Sequence, residues 1–423
     1  MRFTDAYEAA PVCSPTRASI VTGKYPARLH LTEYIPGKEH PYAKLSTPDW
    51  RKYLPLSETT HAEVFAKNGY KTLHIGKWHL GRKSPEEHGF DEVVPKKGKK
   101  NMNDPKYVNY YTDLLLEFME KNKDEPFMAV LSHGTVHVPL YEKDELIDKY
   151  KNKEPGSNGQ NNPVMAAMIE RLDQSIGRIL DKIKELGLSD NTAIVFFSDN
   201  GGLLRVSTEN ERWCLQYDEE LDSSVTATSN KPFRGGKSNL YEGGIRVPLI
   251  IKYPGIKEPG TVSHTPVISN DLYPTFLDLA GLSLKPEQHV DGISLLPLLN
   301  QTGELKERNL YWHYPHYHAR QKPAAAVRSG KWKLIKKYET GKLELYNLES
   351  NPSENPFKNM ALKKRELALK LNEDLQEQLK KMDAQLPKKN PDYDPDKAGK
   401  SVGGEYDPEE FNPEIIDSAV AEQ

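Results

Sequence analysis

A cysteine at the start of a short predicted helix is the group in this chain best suited to nucleophilic chemistry. Pro15 has a fixed φ and no N–H, so it suits the first turn of a helix that continues through residues 16–22 and stops at Gly23. Arg17 comes four residues after Cys13, and residues four apart share one helix face. Because helix N-termini attract anions, the segment predicts a nucleophile beside an anion site. The alternative interpretation is an ordinary buried cysteine before a short helix.

A carboxylate and an amide follow a second apolar run. Asp199 and Asn200 stand in the segment SDNGG, directly after the run Ala193 to Phe197. Carboxylate and amide oxygens at the end of a strand suit a hard divalent cation. The alternative is a tight turn, since Asp-Asn-Gly is also turn chemistry.

Three further segments carry cationic and imidazole side chains. Lys77 and His79 belong to the segment GKWHLG, where residues two apart on a strand would face the same anion and Trp78 would pack on the opposite side. His137 stands in HGTVHVP, and Lys237 follows the glycines of NKPFRGGK, which permit close backbone approach. Taken alone, the Lys-x-His pair would indicate an exposed strand edge.

Alternating apolar runs and helical segments must position these groups. Strand-length runs that each follow a helix-length segment predict a largely parallel α/β sheet with helices on both faces. Ligands of such sheets lie beyond the carboxyl ends of the strands, so His79, His137 and Asp199 are expected to converge. The helix and strand pairs are His61 to Asn68 with Lys71 to Ile75, Tyr107 to Lys121 with Phe127 to Leu131, and Met165 to Leu186 with Ala193 to Phe197.

Together and in this order, these segments resemble the signatures of the type I sulfatases, from about Pro11 to Tyr346. The resemblance implies that Cys13 is oxidised to formylglycine by a formylglycine-generating maturase. It implies a two-step reaction, in which an oxygen of the hydrated aldehyde attacks sulfur and the bound sulfate ester then collapses. Either His79 or His137 would handle the leaving-group proton. The implied catalytic residues are Cys13, Arg17, Lys77, His79, His137 and Lys237, and the implied ligands of Ca²⁺, or of Mg²⁺ as the alternative, are Cys13, Asp199 and Asn200.

The resemblance implies an alkaline-phosphatase-like fold. Residues 1–306 are predicted to form the α/β catalytic domain, with its first strand missing. Residues 307–386 are predicted to form a smaller antiparallel sheet with one helix, and residues 387–423 an extended tail rich in Pro, Asp, Gly and Lys. The strands of the smaller sheet are expected at Ala324 to Arg328, Lys331 to Ile335 and Leu343 to Tyr346, and its helix carries Leu367, Leu371, Leu375, Leu379 and Met382.

An aromatic and histidine-rich segment is the candidate for substrate contact. The segment YWHYPHYHAR contains His313, His316, His318 and Arg320. Aromatic faces suit sugar rings, and these polar groups suit hydroxyls or carboxylates. The resemblance favours an exo-acting enzyme on a carbohydrate sulfate, with a sulfated small molecule or saccharide as partner. The alternative is a structural segment that joins the two domains.

Composition excludes several classes of protein. The chain has 423 residues, 58 basic and 61 acidic, and a net charge of −3, which gives no support to nucleic-acid binding. Its two cysteines, Cys13 and Cys214, do not form a disulfide framework and are both expected to start as free thiols. The longest apolar runs are too short to span a bilayer.

The start of the chain departs from the family pattern. Family members usually begin with an apolar strand that ends in a metal-binding Asp-Asp pair, and only twelve residues precede Cys13, with Asp5 isolated among them. We therefore expect a truncated chain with weak metal affinity and low activity. No signal peptide is visible, although the resemblance implies a periplasmic or secreted protein.

Two rival functions remain open at this point. One is a phosphate ester hydrolase of the same superfamily, against which the Cys-x-Pro-x-Arg pattern argues. The other is a non-catalytic protein that binds sulfated glycans and has lost its metal, which the missing carboxylate pair favours.

Overall fold

Helices and strands alternate along the first two thirds of the chain, as the sequence predicted. A computed structural model describes residues 1–154, 156–204, 227–318 and 321–403. The helices are α1 Cys13–Thr22, α2 Pro26–Leu29, α3 His61–Lys67, α4 Val108–Lys121, α5 Asp144–Lys151, α6 Pro163–Glu185, α7 Glu242–Ile245, α8 Leu272–Leu279, α9 Leu296–Leu299 and α10 Arg365–Lys381. The strands are β1 Arg2–Phe3, β2 Ala6–Tyr7, β3 Lys38–Glu39, β4 Leu45–Ser46, β5 Lys71–Gly76, β6 Glu92–Pro95, β7 Phe127–Ser132, β8 Ile194–Phe197, β9 Leu249–Lys252, β10 Val262–Ser263, β11 Val267–Ile268, β12 Leu310–Tyr314, β13 Ala324–Ser329, β14 Trp332–Lys337, β15 Leu343–Asn347, β16 Lys388–Lys389 and β17 Val402–Gly403.

The larger part of the molecule is built on two sheets. One is parallel, in the order β6-β5-β7, with Leu73 level with Glu92 on one side and Ala129 on the other. The second has the order β10-β1-β9-β8, with β1 parallel to β10 and β9 antiparallel to both of its neighbours. The predicted α/β class is therefore confirmed, and the carboxyl ends of β5, β7 and β8 all lead to the candidate residues.

A cavity of about 1180 Å³ separates the two sheets. It is lined by the whole of β7 and β8 and by apolar side chains of α6, such as Ile176 and Ile179. Among the described strands, β7 is paired only with β5, and β8 only with β9. Both strands are half-buried rather than fully buried, because their inner edges face this cavity.

Helices cover both faces of the sheets. On one face, Tyr111 and Leu115 of α4 and Ile183 of α6 pack with Leu73 and Ile75 of β5. On the other, α1 contacts α8, which packs against α3 through Val64, Phe65, Tyr273 and Leu277. The amphipathic spacing of α4 and α6 explains their position, because each buries one apolar face.

The smaller antiparallel sheet has the order β12-β13-β14-β15. Helix α10 covers one face of it through Leu371, Leu375 and Leu379, as the leucine spacing predicted. The other face reaches the larger sheet system, where Trp312 donates its Nε1–H to the backbone carbonyl of Glu8 at 2.8 Å. The proposed boundaries at residues 306 and 386 stay predictions.

The last described segment, residues 387–403, is extended, as expected, but it is not a free tail. Strand β16 pairs with β4, and β17 pairs with β3. The side chain of Asn390 donates to the carbonyls of Pro41 and Ala43 at 2.8 and 2.7 Å. This segment therefore anchors the loop of residues 38–46.

Within the described residues, none of the helices combines the length and apolar character that a membrane crossing requires.

Candidate active site

Helix α1 holds Cys13 at its first position, as the sequence predicted. Val12 is the extended N-cap, and Gly23 ends the helix with φ 70° while its N–H donates to Ser19 O at 2.9 Å. Thr16 Oγ1 donates to Ala10 O at 2.8 Å, which fixes the turn that enters the helix. Cys13 is 3% exposed, so its side chain is buried at the bottom of the site.

Arg17 joins three elements. Its Nε and Nη2 donate to Asp199 Oδ2 at 2.9 and 2.7 Å. Its Nη1 donates to Ser132 Oγ at 3.2 Å and to the backbone carbonyl of Lys77. The guanidinium therefore ties α1 to the carboxyl ends of β5, β7 and β8, as a rigid five-donor fork can.

Lys77 and His79 reach Cys13 from a loop, not from a strand. Strand β5 ends at Gly76, whose φ is +92° and where a Cβ would lie 2.1 Å from Ser132 O, so only glycine fits. The prediction that Lys77 and His79 share one face of a strand was wrong, because both residues lie in the loop after β5. His79 has a left-handed backbone conformation there, with φ 60°. Trp78 does point away and packs against His74.

The imidazole of His79 is held through one ring nitrogen. Its Nε2 lies 2.5 Å from the carbonyl of Ile35, so Nε2 carries the proton. Its Nδ1 is buried and has no hydrogen-bond partner. Burial and the charge of Lys77 lower the pKa of His79, which keeps Nδ1 unprotonated and able to accept a proton.

His137 and Lys237 form a pair across the site. Lys237 Nζ lies 3.0 Å from His137 Nε2, and His137 Nδ1 lies 2.8 Å from Val138 O. The charge of Lys237, followed by burial, lowers the pKa of His137 well below its ordinary value, so the imidazole is neutral. The backbone N–H of Lys237 donates to Gly202 O at 3.1 Å, which brings its loop beside β8.

The positive charges favour an anion at position 13. Burial alone would raise the pKa of the Cys13 thiol, but Lys77 and Lys237 hold it well below the ordinary value. The sulfur of Cys13 marks where a formylglycine oxygen would stand after modification, and the same charges would favour the ionised form of that oxygen.

Asp199 and Asn200 follow β8, where the sequence placed them. Gly201 comes next, and a Cβ there would lie 2.1 Å from Gly243 O, so the backbone approaches α7 closely. Burial would raise the pKa of Asp199, but Arg17 and Lys77 hold it well below its usual range, so the carboxylate is ionised. The buried Oδ1 of Asn200 has no hydrogen-bond partner.

A carboxylate that the sequence analysis missed lies beside this pair. The side chain of Glu8 is fully buried, its Oε1 accepts from Gly201 N at 3.2 Å, and its Oε2 has no partner. Burial, followed by the charge of Asp199, raises the pKa of Glu8 well above its usual range. One signal could have found it: Glu8 is the single charged residue among the small and apolar residues 6–12.

The carboxylates of Glu8 and Asp199 and the amide oxygen of Asn200 are the types of ligand that a hard cation prefers. Their side chains are not gathered around one point. Glu8 and Asn200 each have a buried oxygen without a hydrogen-bond partner, and such oxygens are the kind of ligand that a hard cation takes. In the described ranges, no three His, Cys, Asp or Glu side chains are already gathered as a metal site, and Asp199 is bonded to Arg17.

The predicted substrate histidines do not act as one group. His313 is buried with Nδ1 2.8 Å from Tyr338 Oη and Nε2 2.9 Å from Gln385 O. His316 is buried with Nε2 2.7 Å from Thr32 Oγ1. Both rings are buried with these partners inside the protein, so the structure gives no support to a substrate contact by His313 or His316, which stays a prediction.

His318 remains a candidate for substrate contact. It is half-buried, and its ring packs edge-on against Tyr34 with centroids 6.1 Å apart. Burial, followed by the charges of Lys237 and Lys38, lowers its pKa to about 4, so it lies on the Lys237 side of the site. Arg320 and Cys214 lie outside the described residues.

His133, in the same segment as His137, is half-buried with Nε2 3.0 Å from Ser175 Oγ.

Comparison with known proteins identifies the family of the chain. The family described as Sulfatase matches residues 1–282, more than half of the chain. The chain belongs to the sulfatase family. A second family description, N-sulphoglucosamine sulphohydrolase, C-terminal, matches residues 236–385.

N-acetylgalactosamine-6-sulfatase of Mus musculus is 29% identical to this sulfatase-family chain over 350 residues, 74% of the chain and 62% of that protein. The chain thus spans less than two thirds of that relative's length.

Solved structures support the fold. The crystal structure of Ps i-CgsB in complex with k-i-k-neocarrahexaose superposes with a TM-score of 0.73 at 24% identity, covering 93% of this chain and 86% of that one. The phosphonate monoester hydrolase SpPMH from Silicibacter pomeroyi has a TM-score of 0.60 at 18% identity, covering 90% and 87%. Both likenesses concern the fold alone, so the chemistry must be argued from the site.

Proposed function

We propose that this protein hydrolyses sulfate monoesters, as an exo-acting carbohydrate sulfatase. The proposal includes conversion of Cys13 to formylglycine by a maturase and a divalent cation held by Asp199, Asn200 and residue 13. Membership of the sulfatase family supports the reaction class. Calcium is the expected ion, with magnesium as the alternative.

One observation supports the proposal most strongly: three distant segments bring cations and imidazoles around Cys13. The charges of Lys77, Lys237 and His79 act on its thiol. A sulfate monoester carries a single negative charge on three oxygens, which two or three cations can offset.

The chain's own residues then have separable roles. Hydrated formylglycine, together with the cation, supplies an oxygen nucleophile that is ionised at neutral pH. Lys77 and Lys237 would face the sulfate oxygens, where charge stabilisation is often the largest contribution to catalysis. Arg17 would keep Asp199 ionised and in place.

Two imidazoles divide the proton transfers. Nδ1 of His79 is free to take a proton from residue 13, because Nε2 already donates to Ile35 O. The pair of Lys237 and His137 lies on the other side and would deliver a proton to the leaving oxygen. This assignment goes beyond the sequence, which left the choice between the two histidines open.

The sugar would lie toward His318 and Tyr34. Both lie on the Lys237 side of the site, where an aromatic face and an imidazole suit a sugar ring. The buried position of Cys13 at the bottom of the site favours a terminal sulfate over one inside a long chain.

The proposal is tested by expressing the chain with and without a formylglycine-generating enzyme. We expect release of 4-nitrophenol from the aryl sulfate only from the co-expressed protein, and a mass change at Cys13 by intact-protein mass spectrometry. Cys13→Ala should abolish turnover and keep the circular dichroism spectrum. Faster hydrolysis of the aryl phosphate than of the aryl sulfate would contradict the proposal.

The preference for terminal saccharide sulfates is tested separately. We expect sulfate release, measured by ion chromatography, from a monosulfated disaccharide with a terminal 6-sulfate. Equal rates on the same sulfate placed inside a hexasaccharide would contradict the exo-acting assignment.

A further inference from the structure

We propose that Glu8 is a ligand of the divalent cation, together with Asp199 and Asn200. The inference rests on the proposed function for the presence of the cation. It adds a carboxylate to the site from a segment that the sequence analysis did not connect with metal binding.

The backbone of Glu8 is fixed beside the site. Glu8 directly follows β2, its N–H donates to Ile245 O at 3.0 Å, and its carbonyl accepts from Trp312 Nε1 at 2.8 Å. Five residues later the chain enters α1 at Cys13. The side chain therefore cannot swing to the surface, and it is 0% exposed.

The carboxylate is aimed at the Asp199–Asn200 turn. Its Oε1 accepts the N–H of Gly201 at 3.2 Å, the residue that follows Asn200. Its Oε2 is buried and has no partner, and Oδ1 of Asn200 is buried and has none either. Glu8 and Asn200 therefore each contribute a buried oxygen acceptor without a donor, and Gly201 links the two residues.

Two other buried glutamates in the described part of the chain have cationic partners. Glu142 lies 2.8 Å from Arg171, and Glu242 lies 2.9 Å from Lys333. An unpaired buried carboxylate oxygen costs free energy, and a buried charge needs a countercharge. No described cationic side chain forms an ion pair with Glu8, so a bound cation is the partner that the geometry calls for.

The donor types agree with this assignment. Two carboxylates and one amide oxygen are ligands that Ca²⁺ prefers, and the number of charged ligands sets the affinity. The sequence predicted weak metal affinity because no Asp-Asp pair precedes Cys13. With Glu8 as a ligand, we expect measurable calcium binding by this chain as it stands.

The test is calcium binding to the EDTA-treated chain with unmodified Cys13, measured by isothermal titration calorimetry with CaCl2 and then MgCl2. Glu8→Gln keeps the shape and the acceptor for Gly201 N but removes the charge. We expect it to raise the calcium Kd by about tenfold or more, since affinity follows the charge of the ligands. Asp199→Asn serves as the positive control.

Glu33→Gln is the matched control. Glu33 is equally buried, but its oxygens accept from Tyr34 N and Tyr314 Oη at 2.9 and 2.8 Å. We expect no change in calcium Kd from this variant. If Glu8→Gln proves unfolded by circular dichroism, Glu8→Ser with a smaller side chain replaces it in the same titration.

The possible outcomes separate the Glu8 inference from the proposed sulfatase function. A calcium Kd of Glu8→Gln equal to that of the wild type, or lower, overturns the inference and leaves the sulfatase proposal standing. No binding of either ion by the wild type overturns both the inference and the metal in the proposed function. Glu8-dependent binding in a matured chain that cleaves no sulfate ester supports the inference and contradicts the proposed function.

Discussion

Lys237 contacts two parts of the site with two different groups. Its ammonium lies 3.0 Å from His137 Nε2, and its backbone N–H is bonded to Gly202 O. The side chain thus contributes charge, while the backbone contributes position. A substitution that truncates the side chain should remove the first role and keep the second.

Lys237→Ala is expected to lower kcat/KM for an aryl sulfate by about 10²-fold, because one preorganised charge at the sulfate oxygens is lost. The measurement is steady-state kinetics on the matured protein. Lys231→Ala, an exposed lysine on the same loop, is the control and should change kcat/KM little. Equal effects of the two variants would show that Lys237 does not face the sulfate.

The raised pKa of the buried Glu33 carboxyl should make the free energy of unfolding depend on pH. Burial raises the pKa of its carboxyl to about 8, against an ordinary value near 4.5. Between these two values the unfolded chain releases a proton that the folded chain keeps. The free energy of unfolding should therefore fall as pH rises from 5 to 8, by up to about 1.4 kcal/mol per pH unit from this residue, and then level off.

Glu33→Gln should remove that slope. Urea unfolding of both proteins at pH 5, 6.5, 8 and 9 checks it, and the variant should gain stability over the wild type as pH rises. Parallel pH profiles would mean that Glu33 is ionised in the folded chain.

At the scale of the elements, the turns that end the strands are packed more tightly than their sequences suggest. Gly201 after β8 leaves no room for a Cβ, which would lie 2.1 Å from Gly243 O and 2.9 Å from Gly244 Cα. These are backbone atoms, which cannot move aside as the end of a flexible side chain can. The glycine therefore sets the distance between the Asp199 turn and α7.

A pair of glycine substitutions tests this packing. Gly201→Ala should destabilise the protein by a few kcal/mol, about 1–3 for an overpacked site. Gly177→Ala, in the middle of α6 with open space around its Cβ position, should stabilise it by about 0.5–1 kcal/mol. Thermal unfolding followed by circular dichroism measures both, and a shift of the same sign in both would contradict the interpretation.

The sequence could predict the elements because their signals are local. The Cys13 helix with its Gly23 stop, the strands at 71–76 and 127–132 and the leucine stripe of α10 all follow from periodicity and end signals. The left-handed loop at His79 carries no such signal, because its position depends on Ile35 from a distant segment.

At the scale of the whole molecule, long-range contacts decided what the sequence could not. The histidines at 313 and 316 have the composition of a sugar site, but their partners, Gln385 and Thr32, come from distant parts of the chain. Glu8 was missed for the opposite reason. A single carboxylate in the sequence does not indicate a site until the fold places it beside Asn200 and Gly201. Composition shows which chemistry a residue can perform, and tertiary packing decides whether its polar atoms are free to do so.

The two half-buried strands on either side of the large cavity have a consequence for the solution behaviour of the chain. Strand β5 is bonded to a neighbour on each side, whereas half of the amides of β7 face the cavity and no described strand. We expect those amides of β7 to exchange with deuterium faster than the amides of β5, as measured by mass spectrometry on peptic peptides. Equal protection would mean that the gap is closed in solution.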